Sequence, residues 1–290
     1  MEIAGSVAVV TGASSGIGWS TAWAFARRGA TVVVSARREE RLQDLARAIG
    51  ARGGTAVPIP CDVTSRLQVE ALAARVEQEV GRCDVLVNNA GVPGGGSFVE
   101  LPLDDLERVI RTNYLGVVYG TKAILPMLLA GGRGHVVNVA SIAGRYAIPG
   151  SAVYSSAKHA VVALSESLNY ELKPLGVLVT AVNPALVQTE GFPHRDAHPL
   201  ATVTVTRVAE VIVDVVERDR APEVSVPRWL AAFQAFRVLT PGLYRFGVAR
   251  AVRGGVRTSR IGEAAGGPER ATVPEMQERE DVPGRTAPES

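Results

Sequence analysis

Val7-Ala8-Val9-Val10-Thr11-Gly12-Ala13-Ser14-Ser15-Gly16-Ile17-Gly18 is the stretch from which the rest of the chain is read. Val7–Thr11 is a continuous apolar and β-branched run without polar alternation, as in a strand covered on both faces. Glycines follow at once, and a helix-length segment follows the glycines. At such a strand-to-helix turn, glycine lets the backbone bend tightly and approach a pyrophosphate. The helix N-terminus adds free N–H groups and the positive end of its dipole. Loops hold glycines for many reasons, so it is the place of Gly12, Ser14, Ser15, Gly16, Ile17 and Gly18 between strand and helix that points to a dinucleotide. The spacing departs from GxGxxG in having three residues between the first two glycines.

Further strands are predicted at Thr31–Ser35, Thr55–Pro60, Val85–Asn88, His135–Val139, Leu178–Val182 and Glu223–Val226. Helix-length segments lie between them, at Trp19–Arg28, Glu39–Ala51, Leu67–Val80, Leu103–Leu129 and Ser156–Leu175. This alternation predicts an α/β fold, a Rossmann-type doubly wound parallel sheet of about seven strands with right-handed crossovers. The chain has 290 residues, 47% of them hydrophobic and 21% charged, enough to bury a core without staples. Lys+Arg 31 against Asp+Glu 29 leaves a net charge of +2, which argues against a nucleic-acid partner. Two cysteines, Cys61 and Cys83, make no disulfide framework. The opening residues lack the basic region of a secretory signal, and no run of about 18 apolar residues is present. A cytoplasmic protein is expected.

Several chain segments fall where such a sheet would present its carboxyl edge. At the end of the second strand, Ser35-Ala36-Arg37-Arg38 holds two guanidiniums and no acid before Glu39. An acid there would bind a ribose 2′-hydroxyl, whereas arginine accommodates a 2′-phosphate, so NADP(H) is favoured over NAD(H). Cys61-Asp62-Val63 ends the third strand and Asn88-Asn89-Ala90-Gly91 the fourth. Their blander roles are an N-cap for Asp62, and turn formation and strand pinning for Asn88 and Asn89. Ser141 ends the fifth strand, and thirteen residues on begins Tyr154-Ser155-Ser156-Ala157-Lys158. Tyr154 and Lys158, four apart, share one helix face. A phenol titrates near 10, and a close ammonium lowers that value toward the range of acid–base work. Ser141 can then hold a substrate oxygen while Tyr154 passes the proton.

The glycine turn, the Asn-Asn-Ala-Gly segment, and Ser141 thirteen residues before Tyr154-x-x-x-Lys158 occur in one order along one chain. In this the sequence resembles the short-chain dehydrogenase/reductase family, in its compact single-domain branch, over roughly Ala4 to Val226. The resemblance implies that Ser141 orients the substrate oxygen and that Tyr154 is the general acid/base. It implies that Lys158 binds the nicotinamide ribose and lowers the Tyr154 pKa. Asn113, in Arg111-Thr112-Asn113-Tyr114, matches the helix asparagine that holds a water of the proton relay. Asp62 and Val63 match the adenine contacts, and Asn89, with Ala90 and Gly91, the position beside the cofactor. Asn183, Pro184, Val187 and Thr189 match the segment that contacts nicotinamide. Where the family has Pro-Gly after the sixth strand, this chain has Pro184-Ala185, and the loop is expected to take a slightly different path.

The leading expectation is an NADP-dependent oxidoreductase interconverting a secondary alcohol and a ketone or aldehyde, with a small-molecule carbonyl or alcohol substrate. Two alternatives stand beside it: a catalytically silent NADP-binding regulator, and an epimerase or dehydratase sharing YxxxK. Leu186 to Thr206, with Phe192, Pro193, His194, Arg195 and His198, is expected to lie over the site. With Ala147–Pro149 it points to a bulky, apolar substrate. His194 and His198 have no third ligand nearby, and no metal is expected. Val117, Val118, Ile124, Val161, Val162, Leu164 and Leu168 exceed one helix face, and the resemblance implies a homodimer or homotetramer through their helices.

The predicted domains are a catalytic domain over 1–227, a basic helical extension over 228–261, and a disordered acidic tail over 262–290. From Arg218 to Arg260 there are nine arginines and two acids. Trp229, Phe233 and Phe236 recur at helical spacing, Pro241-Gly242 is expected to break the chain, and Arg250, Arg253 and Arg257 form a stripe on a second helix. Two roles are open for this extension: a lid or subunit contact, or peripheral contact with an anionic membrane surface through 229–260.

Overall fold

The computed structural model describes residues 1–191 and 202–255. Its centre is a seven-stranded sheet: β1 (Val7–Thr11), β2 (Thr31–Ala36), β3 (Thr55–Pro60), β4 (Val85–Asn88), β5 (Gly134–Val139), β6 (Val177–Pro184) and β7 (Glu223–Val226). The spatial order is β3-β2-β1-β4-β5-β6-β7, and every pairing is parallel. Pro58 and Pro60 lie in β3, at the sheet's edge, where a missing N–H costs no central ladder bond. The order reverses between β1 and β4, and a doubly wound sheet opens its ligand crevice there.

Helices cover both faces. They are α1 (Gly16–Ala26), α2 (Glu39–Gly50), α3 (Arg66–Val80), α4 (Leu103–Ile110), α5 (Gly116–Ala130), α6 (Ala152–Leu172) and α7 (Val205–Glu217); α8 (Leu230–Leu239) and α9 (Pro241–Gly255) follow β7 in the chain. The pleat sends Ala8, Val10, Val32 and Val34 into one core with Phe25, Leu42, Leu45, Ile49 and Ile212. Val7, Val9 and Val33 go to the other, with Leu72, Val76, Ile124 and Leu128. This two-sided burial is why the strands read as unbroken apolar runs. Among the described residues, contacts group those up to Tyr244 as one compact unit and set those from Arg245 to Gly255 apart from it.

Four local readings change. The predicted helix Leu103–Leu129 is wound in three pieces, with a π-helical turn at Arg111–Leu115 between α4 and α5. One extra residue per turn leaves the apolar spacing nearly intact, so periodicity does not reveal it. The helix expected from Ser156 starts at Ala152 and takes in Tyr154. β5 ends at Val139, and Ser141 instead caps a short 3₁₀ turn, Ile142–Gly144, by accepting the Ala143 N–H at 3.1 Å. The break expected at Pro241-Gly242 falls one residue earlier, at Thr240, and Pro241 opens α9, since proline's missing N–H and fixed φ suit a first helical turn.

Of the apolar residues assigned to a subunit contact, Val117, Ile124, Val161 and Val162 are buried within this chain, leaving Val118, Leu164 and Leu168 half-buried. Phe192, Pro193, His194, Arg195 and His198 lie outside the described residues, as do Arg257 and the tail over 262–290; the side chains of Phe233 and Arg253 are likewise not described.

His135 in β5 is buried, with Nε2 2.8 Å from the Thr180 hydroxyl, which itself donates to the Arg220 carbonyl. The imidazole therefore donates through Nε2, while Nδ1 has no partner. Burial pushes its pKa from 6.5 down to about 4. A group held neutral in the fold lets the unfolded chain bind the extra proton, so stability falls as pH drops from 6.5 toward 4. The loss amounts to about 3 kcal/mol across that window. Urea unfolding at stepped pH should show this slope in the wild type and a shallower one in His135→Gln.

Candidate active site

A cavity of about 670 Å³ opens at the carboxyl ends of the strands. Its wall begins at the glycine turn, with Gly12, Ser14, Ser15, Gly16 and Ile17, and continues through Arg37, Arg38, Asp62 and Val63. It passes Asn89, Ala90 and Gly91 to Ser141, Tyr154 and Lys158, and closes at Pro184, Val187 and Thr189. Gly18 and Asn113, also expected at the site, are not on this wall.

The backbone at Gly12 has φ +66°, and a Cβ there would sit 2.7 Å from the Ala90 Cα. Only glycine lets β1 and β4 come this close at the turn. Asn89 locks the approach: its amide donates to the Thr11 carbonyl at 2.9 Å and the Gly12 carbonyl at 3.2 Å. The Thr11 hydroxyl accepts from the Asn89 and Ala90 N–H groups. Gly18, behind the turn, has the Gly12 carbonyl and the Asn89 amide against the place a Cβ would take. Asn88 is buried and bonds Thr121 and Asn138, the strand-pinning role.

Arg38 is anchored over the turn. Its guanidinium donates to Ser14 at 3.1 Å and Ser15 at 3.0 Å, and pairs with Glu190 at 2.6 Å. That bond holds the Glu190 carboxyl below its ordinary value. Arg37 is exposed at the same rim. Asp62 accepts from the Thr64 N–H and hydroxyl at 2.9 and 2.8 Å. It makes a turn, and the cap of α3 is Ser65.

At the other end, α6 brings Tyr154 and Lys158 onto the wall beside Ser141. Lys158 is 4% exposed; its ammonium donates to the Val139 carbonyl at 2.8 Å and lies 5.9 Å from the Tyr154 ring centroid. Burial lowers its pKa to about 8. The Tyr154 phenol lies above its ordinary value, because burial outweighs the opposing hydrogen bond with Ser141. The expected lowering by Lys158 is therefore absent in this state. The ammonium is directed at a backbone carbonyl, and a phenolate would be poorly solvated here.

Asn113 sits in the π-helical turn, fully buried, and its amide closes a ring with Val92. Oδ1 accepts the Val92 N–H at 2.9 Å, and Nδ2 donates to the Val92 carbonyl at 2.8 Å. The turn thus ties the helix to the Asn89–Gly95 wall. Ala185 keeps an ordinary backbone, since Asp219 is the one non-glycine with positive φ among the described residues. Its N–H donates to the Val226 carbonyl at 2.8 Å.

Two features went unread in the sequence. Glu190 had no signal, because its partner lies 152 residues away. Glu223, at the start of β7, accepts from both ends of the Arg145 guanidinium, from Asn183 at 2.6 Å and from Gln234 at 3.2 Å. It joins the end of the Ser141 turn to β6 and α8. Tyr146 extends the tie, donating to the Leu230 carbonyl at 3.2 Å, with the Arg237 guanidinium 6.0 Å from its ring centroid.

The sheet order and the cavity at its switch point define a Rossmann-type fold. The family model for short chain dehydrogenase matches residues 6–199, and this chain belongs to that family of oxidoreductases. It is 36% identical over 255 residues to "Probable oxidoreductase EphD" of Mycobacterium tuberculosis, covering 81% of this chain and 43% of that protein. It therefore spans less than half the length of that relative. A short chain dehydrogenase/reductase from Burkholderia phymatum in complex with NAD is similar in structure, with TM-score 0.76 and 29% identity over 84% of this chain and 96% of that one. A variant of actinorhodin polyketide ketoreductase with NADPH is similar with TM-score 0.71 and 33% identity, over 78% and 97% of the two chains. Among the described residues, no helix is long and apolar enough to cross a membrane.

Proposed function

We propose that the protein is an NADP-dependent oxidoreductase that interconverts a ketone or aldehyde and an alcohol on a bulky, apolar substrate. The observation that carries this reading is the meeting of Ser141, Tyr154 and Lys158 on one wall of a cavity that reaches Arg38 at its far end. The likeness to a ketoreductase described with NADPH supports it.

The residues present fit a dinucleotide. The glycine turn and the first residues of α1, Gly16 and Ile17, line the cavity, and Arg38 with Ser14 and Ser15 offers donors to a 2′-phosphate. Asp62 and Val63 would flank the adenine, Lys158 would hold the nicotinamide ribose, and Pro184, Val187 and Thr189 would face the nicotinamide. When bound, the cofactor supplies or accepts hydride at the substrate carbon. Ser141 donates a hydrogen bond to the substrate oxygen. Tyr154, kept as a phenol by burial, donates its proton to that oxygen during reduction and recovers it in the reverse direction. Val92, Pro93, Ile142, Ile148 and Leu186 give the same cavity an apolar lining for the substrate.

The test is oxidation of NADPH, against NADH, with a panel of aldehydes, ketones and quinones. Wild type should prefer NADPH. Arg38→Ala should raise KM for NADPH about 10- to 100-fold, the worth of a charge-assisted hydrogen bond, and leave NADH nearly unchanged. Preference for NADH in the wild type would refute the cofactor assignment.

A further inference from the structure

Helix α8 presents an apolar face to solvent. Its inner side carries Leu230, 6% exposed, with half-buried Gln234 and Arg237. Trp229, Ala232, Phe236 and Leu239 follow at i, i+3, i+7 and i+10 on the opposite side, with no polar residue among them. Trp229 is 61% exposed, Leu239 78%, and neighbouring Val238 75%. An exposed helix face made only of apolar side chains marks a surface that meets a second apolar medium. Helix α9 repeats the pattern by itself: Leu243 and Phe246 are 60% and 66% exposed, and exposed Arg250 continues their spacing at i+7.

The charge around these helices selects the medium. From Val224 to Gly262 the sequence has seven arginines and no acid. A two-fold contact between copies would set arginine against arginine in a desolvated interface. A nucleic acid would match the charge but leave Trp229, Val238, Leu239 and Phe246 in water. An anionic lipid surface answers both, taking apolar side chains below its headgroups and attracting guanidiniums at them.

We infer that α8 and α9 form a peripheral docking element for anionic phospholipid membranes. None of these residues lines the cavity, so the inference does not depend on the proposed reaction. Full-length protein is to be floated with phosphatidylcholine vesicles, with and without 30% phosphatidylglycerol (about that fraction suffices to set a surface potential). Binding is expected only to the anionic vesicles, with at least about tenfold loss at 0.5 M salt, since exposed charges are screened. Trp229→Ser/Leu239→Ser should float at least about tenfold less, while its thermal midpoint and sedimentation mass stay those of the wild type. Bromine-labelled lipids should quench tryptophan fluorescence in the wild type and lose that part in Trp229→Ser. Absence of flotation on anionic vesicles at low salt overturns the inference. So does equal flotation of the double variant. A fall in molecular mass in that variant, without vesicle binding by the wild type, would make the face a contact between copies.

Discussion

Tyr154→Phe is expected to retain cofactor binding and lose at least about 10³-fold in turnover of a carbonyl substrate. The substitution removes one hydroxyl from a ring half-buried in the cavity wall, so packing and the Lys158 site are left in place. What disappears is the group that hydrogen-bonds Ser141 and to which the proposed reaction assigns the proton. Positioned acid–base catalysis contributes typically 10²–10⁴, and nothing else on that wall can replace it. Lys158 is 4% exposed and directed at the Val139 carbonyl, and Ser141 is a far weaker acid. The comparison is of NADPH binding by fluorescence titration with steady-state turnover. Activity near wild type would remove Tyr154 from the reaction. The pH profile carries a second reading. With Lys158 near pH 8, reduction should hold below that value and decline above it as the ammonium loses its charge.

The other large effect is expected at a residue that lines no cavity. Gly18→Ala places a Cβ against the Gly12 carbonyl and the Asn89 amide. The Asn89 side chain can turn away, but then its bonds to the Thr11 and Gly12 carbonyls are lost. The Gly12 carbonyl cannot move without carrying the turn with it. Overpacking of this kind costs about 1–3 kcal/mol, and the lost pinning adds to it. Cofactor affinity should fall about 100-fold or more, with a lower thermal midpoint. Gly50→Ala, at a position with nothing within 4 Å of the added carbon, serves as the control and should leave both unchanged.

Most of the architecture was legible because burial on two faces leaves a simple trace. Strands appear as short apolar runs, helices as longer amphipathic stretches, and their alternation leaves few topologies. The site was legible where a residue acts near its neighbours in sequence: the glycine turn, Arg37-Arg38, and Tyr154 with Lys158. It was not legible where the partner is remote. The Arg38–Glu190 pair, the ring between Asn113 and Val92, and the meeting of Arg145, Asn183 and Gln234 at Glu223 follow from tertiary contact alone. The π-helical turn escaped for another reason, because one added residue barely alters an apolar period. The pKa of Tyr154 was misjudged from the pair alone. A cation four residues away matters less than where its ammonium points and how much water the phenol has lost.

Glu223 also sets an order of events during synthesis. Ser141, Tyr154 and Lys158 are all translated early, inside the segment that matches the family, residues 6–199. The turn that carries Ser141 nevertheless finds its anchors much later in the chain. Arg145 waits for Glu223, Tyr146 for the Leu230 carbonyl, and the carboxylate itself for Gln234. A nascent chain therefore holds Ser141, Tyr154 and Lys158 before it holds the bonds that tie down the serine turn. A stop codon ahead of β7 would yield a chain that carries Ser141, Tyr154 and Lys158 but lacks the partner of Arg145. The turn that bears Ser141 is thus tied down by residues about 80 positions further along the chain.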